Sequence, residues 1–186
     1  MLLFGHAGIT LGAGTVLAGG MNIRNGKTSW LASLSRYADI RLLLVGSLLP
    51  DIIDKPVGQY LFRDTFSNGR IFSHTLLFLI LISAVGFYLY KRHRQVWMIS
   101  LAAGTFMHLV LDEMWNAPAT LFWPLLGFTF EKAELTDWLS NIFRELFSSP
   151  GVYIPEAIGL LILLWFGLVV VRRKKVMVFL RYGKVS

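Results

Sequence analysis

Cysteine is absent from this chain of 186 residues. Its absence excludes disulfides, thiolate metal ligands and a cysteine nucleophile, and leaves the redox compartment open. Acidic residues are scarce, 11 Asp and Glu against 18 Lys and Arg. Several catalytic signatures are missing as well. There is no His-Glu-x-x-His, the commonest zinc-protease helix, and no Gly-x-Ser-x-Gly elbow. Gly12-Ala13-Gly14 is not a phosphate loop, because no strand precedes it and no Lys-Ser/Thr follows. The N-terminus lacks the basic start of a secretory signal and shows no cleavage site, so its first apolar run is expected to be retained. No internal repeat and no low-complexity tract is visible.

What is present is apolar. Hydrophobic residues make up 55% of the chain, and mean hydropathy is +0.58. That predicts one integral membrane domain over residues 1–186 rather than a soluble one. The net charge of +7 does not point to nucleic acid, since no basic surface with interleaved stacking aromatics appears. The basic residues cluster instead in short loops between apolar runs.

Five runs approach the roughly 20 residues needed to cross a bilayer. They cover residues 2–20, 40–61 (interrupted at Pro50), 71–90, 96–115 and 152–171. Residues 117–130 are apolar and aromatic but broken by Pro118, Pro124 and Gly127, which suits a re-entrant or interfacial segment. Residues 131–147 space Leu135, Trp138, Leu139, Ile142, Phe143 and Leu146 as a helix would. That predicts an amphipathic interfacial helix. The fold expectation is therefore all-α: a polytopic bundle of about five transmembrane helices, with a site-bearing core in 1–130, the interfacial helix in 131–150, and a last span with a basic tail in 151–186.

Basic residues set the orientation. Arg24, Lys27, Arg36 and Arg41 flank the first connection, Lys91, Arg92 and Arg94 fill the third, and Arg172, Arg173, Lys174 and Lys175 follow the last span. With five spans these fall on one side, which the positive-inside rule makes cytoplasmic. The N-terminus is then outside and the C-terminus inside, in the cell (inner) membrane.

On that topology His6, Asp51, Asp54, His74, His108 and Asp112 all lie near the extracytoplasmic ends of their spans. Ionisable groups at membrane depth are costly and rare unless function keeps them. Imidazole and carboxylate are also the ligand set for zinc, manganese or iron. His108 and Asp112 stand at i,i+4, so they share a helix face; taken alone, such a pair equally suits a hydrogen bond that ties a helix end. Asp51 and Asp54 follow Pro50, where an Asx cap with Lys55 as an ion partner explains one acid better than two. Arg70 lies close in sequence to His74 and suits bidentate phosphate or carboxylate recognition; interfacial snorkelling is its plainer role. Glu113 is a weaker candidate for ligand or base, because on a continuing helix it points about 100° from Asp112. His93 sits on the opposite side and is assigned no role. Trp115, Phe122, Trp123 and Trp138 read as an interfacial aromatic belt, with a lipid groove as the alternative.

Gly46-Ser-Leu-Leu-Pro-Asp51, Arg70-x-x-Ser-His74-Thr, His108-x-x-x-Asp112 and Trp123-Pro124, in this order, resemble the YdjM family of membrane-bound metal-dependent hydrolases. The resemblance covers about residues 5–127. The family is distantly similar to zinc-dependent phospholipase C, which implies a helical metal site and phosphoester chemistry. By position, the implied metal residues are His6, Asp51, Asp54, His74, His108 and Asp112. The chain departs from many relatives in two places, with Pro50-Asp51-Ile52-Ile53-Asp54-Lys55 where they have Pro-Asp-x-Asp-His, and Gly69 where they have a histidine.

The expected function is a metal-dependent hydrolase, a phosphoesterase acting on a lipid or lipid-linked phosphate at the membrane surface. Water activated by one or two ions, zinc foremost, would attack phosphorus while Arg70 holds a phosphate oxygen. Asp54 or Asp112 would act as base if not a ligand. Two alternatives are a proton-coupled carrier and a non-catalytic membrane scaffold with a structural metal.

Overall fold

The computed structural model describes residues 1–21, 30–132, 144 and 146–185. Among the described residues every regular element is helical. In chain order these are α1 (Leu3–Met21), α2 (Trp30–Tyr37), α3 (Ile40–Gly46), α4 (Leu49–Lys55) and a π-helical turn at Pro56–Leu61. Then come α5 (Leu76–His93), α6 (Trp97–Leu111), a 3-10 turn at Met114–Asn116, α7 (Pro118–Leu121), α8 (Pro150–Arg172) and α9 (Val176–Tyr182).

Local chemistry sets most of these boundaries. Asp39 caps α3 by accepting from the Arg41 and Leu42 amides. Thr75 caps α5 by accepting from the Phe78 amide at 3.1 Å. An N-cap oxygen satisfies amides that have no partner within the helix. The α5 helix ends at Arg94, which is left-handed at φ 56°, after a last turn of Lys91, Arg92 and His93. Cations there suit the negative end of the helix. Pro50 occupies the first turn of α4, where its missing N–H costs nothing.

Among the described residues two helices, α5 and α8, are long and apolar enough to cross a membrane. Their exposed surfaces are apolar: Ile80, Leu81 and Phe87 on α5, and Leu161, Leu164 and Leu168 on α8. Contiguous apolar exposure of this kind belongs against lipid or protein. The other expected spans differ in detail. Residues 40–61 form α3, α4 and the π turn in succession instead of one helix broken at Pro50. Residues 71–75 are not helical, so the third apolar helix starts at Leu76. Residues 117–130 contain only α7, followed by a tip with Leu125, Leu126 and Phe128 exposed. The expected amphipathic helix lies almost entirely outside the described residues, as do Arg24 and Lys27. The basic tail contains α9. Phe179 of α9 packs on Phe166, with ring centres 5.3 Å apart.

Helix α1 packs against α8, α2 and α3, and α6 against α3 and α5. The apolar core, with Leu11, Leu34, Ile40, Leu43 and Phe166, lies between α1, α2, α3 and α8. Close approach of α3 to α6 depends on glycine. A Cβ on Gly46 would overlap the Leu101 carbonyl, and one on Gly104 would overlap the Leu43 carbonyl oxygen. This contact brings the end of α3 beside the last turns of α6, where the polar residues gather.

Candidate metal centre

Four segments meet here. The first turns of α1 supply His6, the first turn of α4 supplies Asp51, the stretch of bends and turns before α5 supplies His74, and the end of α6 supplies His108 and Asp112. All three imidazoles are fully buried. The His6 and His108 rings stack with centres 4.3 Å apart, and the His74 and His108 rings meet edge to face at 5.1 Å.

Each imidazole is held from behind through Nδ1. His6 Nδ1 lies 2.7 Å from the Leu2 carbonyl oxygen. His108 Nδ1 lies 2.7 Å from the Ser47 carbonyl oxygen. His74 Nδ1 lies 2.7 Å from Asp54 Oδ2. A carbonyl or carboxylate can only accept, so each Nδ1 carries a proton and donates it. In the neutral ring Nε2 then offers a lone pair, and all three lone pairs converge. Orientation through Nδ1 is the usual support of a metal-binding histidine.

The convergence sets acceptor against acceptor. His74 Nε2 is 3.2 Å from His108 Nε2. His6 Nε2 is 3.0 Å from Asp112 Oδ1, yet both atoms are buried without a hydrogen-bond partner. Asp51 Oδ1 stands 3.7 Å from His74 Nε2 and 3.9 Å from His108 Nε2. Asp112 Oδ2 stands 3.9 Å from both. Two overlapping sets of ligand atoms, His6/His108/Asp112 and Asp51/His74/His108, are each mutually within 4.8 Å. Facing lone pairs repel unless a metal ion or a proton lies between them. The residues present therefore fit a metal ion, with nitrogen and oxygen donors only.

Asp54 is not among the converging groups. Its Oδ2 accepts from the Ile71 amide at 2.8 Å and from His74 Nδ1. Its Oδ1 accepts from the Ser73 amide at 3.0 Å and from the Ser73 hydroxyl. Fully buried and saturated with donors, it has no oxygen free for a metal or for proton abstraction. The expectation that Asp54 is a ligand or base is corrected to a support: it shapes residues 71–74 and aims His74. The alternation of acids after Pro50 could not reveal this, because the donors come from a stretch 17 to 20 residues later.

Arg70 reaches the centre, though not from a helix. Its Nη2 pairs with Asp112 Oδ2 at 2.9 Å, and its side chain is 47% exposed. Lys55 Nζ takes Asp51 Oδ2 at 2.6 Å, leaving Oδ1 toward the histidines. The Met1 amino group lies 3.7 Å from Asp112 Oδ1. A cleft of about 460 Å³ opens over this edge, lined by Arg70, Asp112, Glu113, Trp115, Gly151 and Pro155, among others. Glu113 lines it because α6 ends at Leu111 and Glu113 turns left-handed at φ 51°; a continuing helix would have pointed it elsewhere. His93, at the end of α5, lies outside the centre.

Sequence reasoning passed over the backbone carbonyls of Leu2 and Ser47, which carry no sequence signal. It also passed over Glu156, which had one: it is the single acidic residue in the longest apolar helix. The aromatic belt is partly a cluster. Phe72, Trp123 and Phe130 pack together, the Phe72 and Trp123 ring centres 5.4 Å apart.

A family profile described as YdjM inner membrane protein matches residues 1–180. No curated protein and no solved structure matches the chain.

Proposed function

The chain belongs to the YdjM inner membrane protein family, and from that premise we propose that it is a membrane-bound, metal-dependent hydrolase acting on a phosphoester of a lipid or lipid-linked substrate. One observation carries the reading: three imidazole Nε2 atoms and the carboxylates of Asp51 and Asp112 converge with acceptors facing acceptors, at the foot of an open cleft. Such a centre would hold one or two divalent ions through His6, His74, His108, Asp51 and Asp112. Zinc leads among the candidates, with manganese or iron behind it. When bound, the ion supplies a Lewis acid for a phosphoryl oxygen and lowers the pKa of water to about 7.

The chain's own residues do the rest. Arg70, half-exposed at the cleft and pinned to Asp112, keeps guanidinium N–H groups for a phosphate oxygen and stabilises charge that develops there. Asp112 orients Arg70 through Oδ2. Glu113, exposed in the cleft wall, is a carboxylate open to water and the group best exposed to take a proton, in place of Asp54. Leu111, Val110 and Pro155 give the cleft an apolar side suited to the tail of a lipid.

In the membrane we place about five spans, with residues 117–130 re-entrant or interfacial and the centre facing the extracytoplasmic side. The C-terminus is cytoplasmic, by the charge of its flanking loops. A proton shared between His74 and His108 would serve the rival reading, a proton-coupled carrier. Five acceptors and a cleft with a cationic side chain are more than a shared proton uses. Elemental analysis of the purified protein, followed by phosphate or headgroup release from a lipid panel with zinc and manganese, tests the proposal. A metal-free protein, or one that binds metal and releases nothing from any lipid, overturns it.

A further inference from the structure

Glu156 is a buried acid that the chemistry above does not use. It lies in the second turn of α8, 6% exposed, within one of the two helices apolar enough to cross a membrane. An ionisable residue in such a helix is costly and has a partner that justifies it. Here the partner is the start of α1. Glu156 Oε1 accepts from the amides of Leu2 at 2.7 Å and Gly5 at 3.0 Å, and Oε2 accepts from the amide of Phe4 at 3.0 Å.

The first amides of a helix have no partner within it, and a carboxylate also suits the positive end of the helix dipole. Capping alone would explain that much. A second relationship goes further. Leu2, whose amide donates to Glu156, is the residue whose carbonyl oxygen receives the Nδ1 proton of His6. The amides of Phe4 and Gly5, just ahead of His6, are held by the same carboxylate. The cap and the ring support are thus one assembly, running from Glu156 through the Leu2 backbone to His6 Nδ1.

The contact is close because it is built from glycine. A Cβ on Gly8 would overlap the Gly159 carbonyl oxygen, and one on Gly159 would overlap the Phe4 carbonyl oxygen. Helices α1 and α8 therefore touch backbone to backbone one turn from His6. A Cβ on Gly5 would press on Glu156 Oε1 at 2.5 Å.

We propose that Glu156 is a positioning residue of the metal centre, fixing the depth and ring orientation of His6 from a helix that contributes no ligand. This rests on the metal-binding reading of the site. Loss of such a support weakens metal affinity by about 10- to 100-fold.

The test uses the full-length protein in detergent with Co²⁺ as probe, whose visible spectrum reports the ligand set and whose titration gives Kd. Glu156→Gln keeps the shape and loses the charge. It is expected to weaken Co²⁺ binding by about 10- to 100-fold and to shift the spectrum toward that of His6→Ala. In a His6→Ala background the same change is expected to have no further effect on Kd. Gly5→Ala, which keeps the carboxylate but displaces it, is expected to give the same signature and decides the matter if Glu156→Gln does not fold. Wild-type Kd and spectrum in either folded variant would overturn the proposal. So would losses from Glu156→Gln and His6→Ala that multiply, since that is the behaviour of two unconnected structural roles. His74→Ala separates the two levels. If it abolishes Co²⁺ binding while the Glu156 and Gly5 variants bind normally, only the positioning role fails. If wild type itself binds no Co²⁺, the metal reading fails and this proposal with it.

Discussion

His74 and His108 point their Nε2 atoms at each other across 3.2 Å. With each Nδ1 proton committed to Asp54 or to the Ser47 carbonyl, neither ring can donate to the other while both are neutral. The pair could hold a cation between its facing nitrogens, with the carboxylates of Asp51 and Asp112 close by to match the charge.

Removing either ring of the pair should therefore remove the ion. His74→Ala and His108→Ala are each expected to cut bound transition metal to a small fraction of wild type, while His93→Ala leaves it unchanged. Metal-to-protein ratios by elemental analysis provide the check. Equal ratios in all three variants would overturn the shared centre.

Asp54 should behave as a support. Asp54→Asn keeps the size but replaces one acceptor oxygen with a donor that faces backbone amides. We expect metal affinity to fall by about 10- to 100-fold. Each buried donor left unpaired costs about 1–3 kcal/mol, so thermal stability should drop as well, even in metal-free protein. A ligand that shaped nothing else would lower affinity and leave the metal-free Tm in place. The two measurements together separate these roles.

Arg70→Lys keeps a cation at the cleft but loses the planar fork. Metal content and folding should be retained, and turnover of a phosphoester lipid should fall by about 100-fold or more, the scale for losing a preorganised charge-stabilising donor. Unchanged turnover would mean that Arg70 only snorkels, which lysine does equally well.

Orientation is testable apart from chemistry. A reporter fused after Lys175 should read cytoplasmic, and one inserted near Glu131 should read external. The reverse pattern would turn the centre toward the cytoplasm.

The helical class and the identity of the polar residues were legible because they rest on strong local signals: apolar runs, and ionisable groups where such groups are rare. His6, His74, His108, Asp51 and Asp112 do meet. Boundaries were less legible where tertiary contacts override pattern. Residues 71–75 read as the start of an apolar span, yet Asp54 draws their amides away from helical partners. Glu113 was misdirected by assuming that α6 continues. The division of labour between Asp51 and Asp54 was invisible, since two acids three residues apart look alike until one is seen saturated with donors. Glu156 was overlooked for the opposite reason, a single acid hidden by the apolarity of its neighbours.

The bond between Glu156 and the first turn of α1 joins residues 151 positions apart, as in Gly5 to Glu156. During synthesis at about 5–20 residues per second, His6 would wait roughly 8–30 seconds for the residue that steadies it. Asp51, His74, His108 and Asp112 would all be made before that. A chain ended between Asp112 and Glu156 would carry all five converging residues and still lack the carboxylate that holds the start of α1. If Glu156 positions His6 as proposed, competence of the centre is tied to arrival of the first turns of the last long helix, and a chain that stops short of it is a poor metal trap.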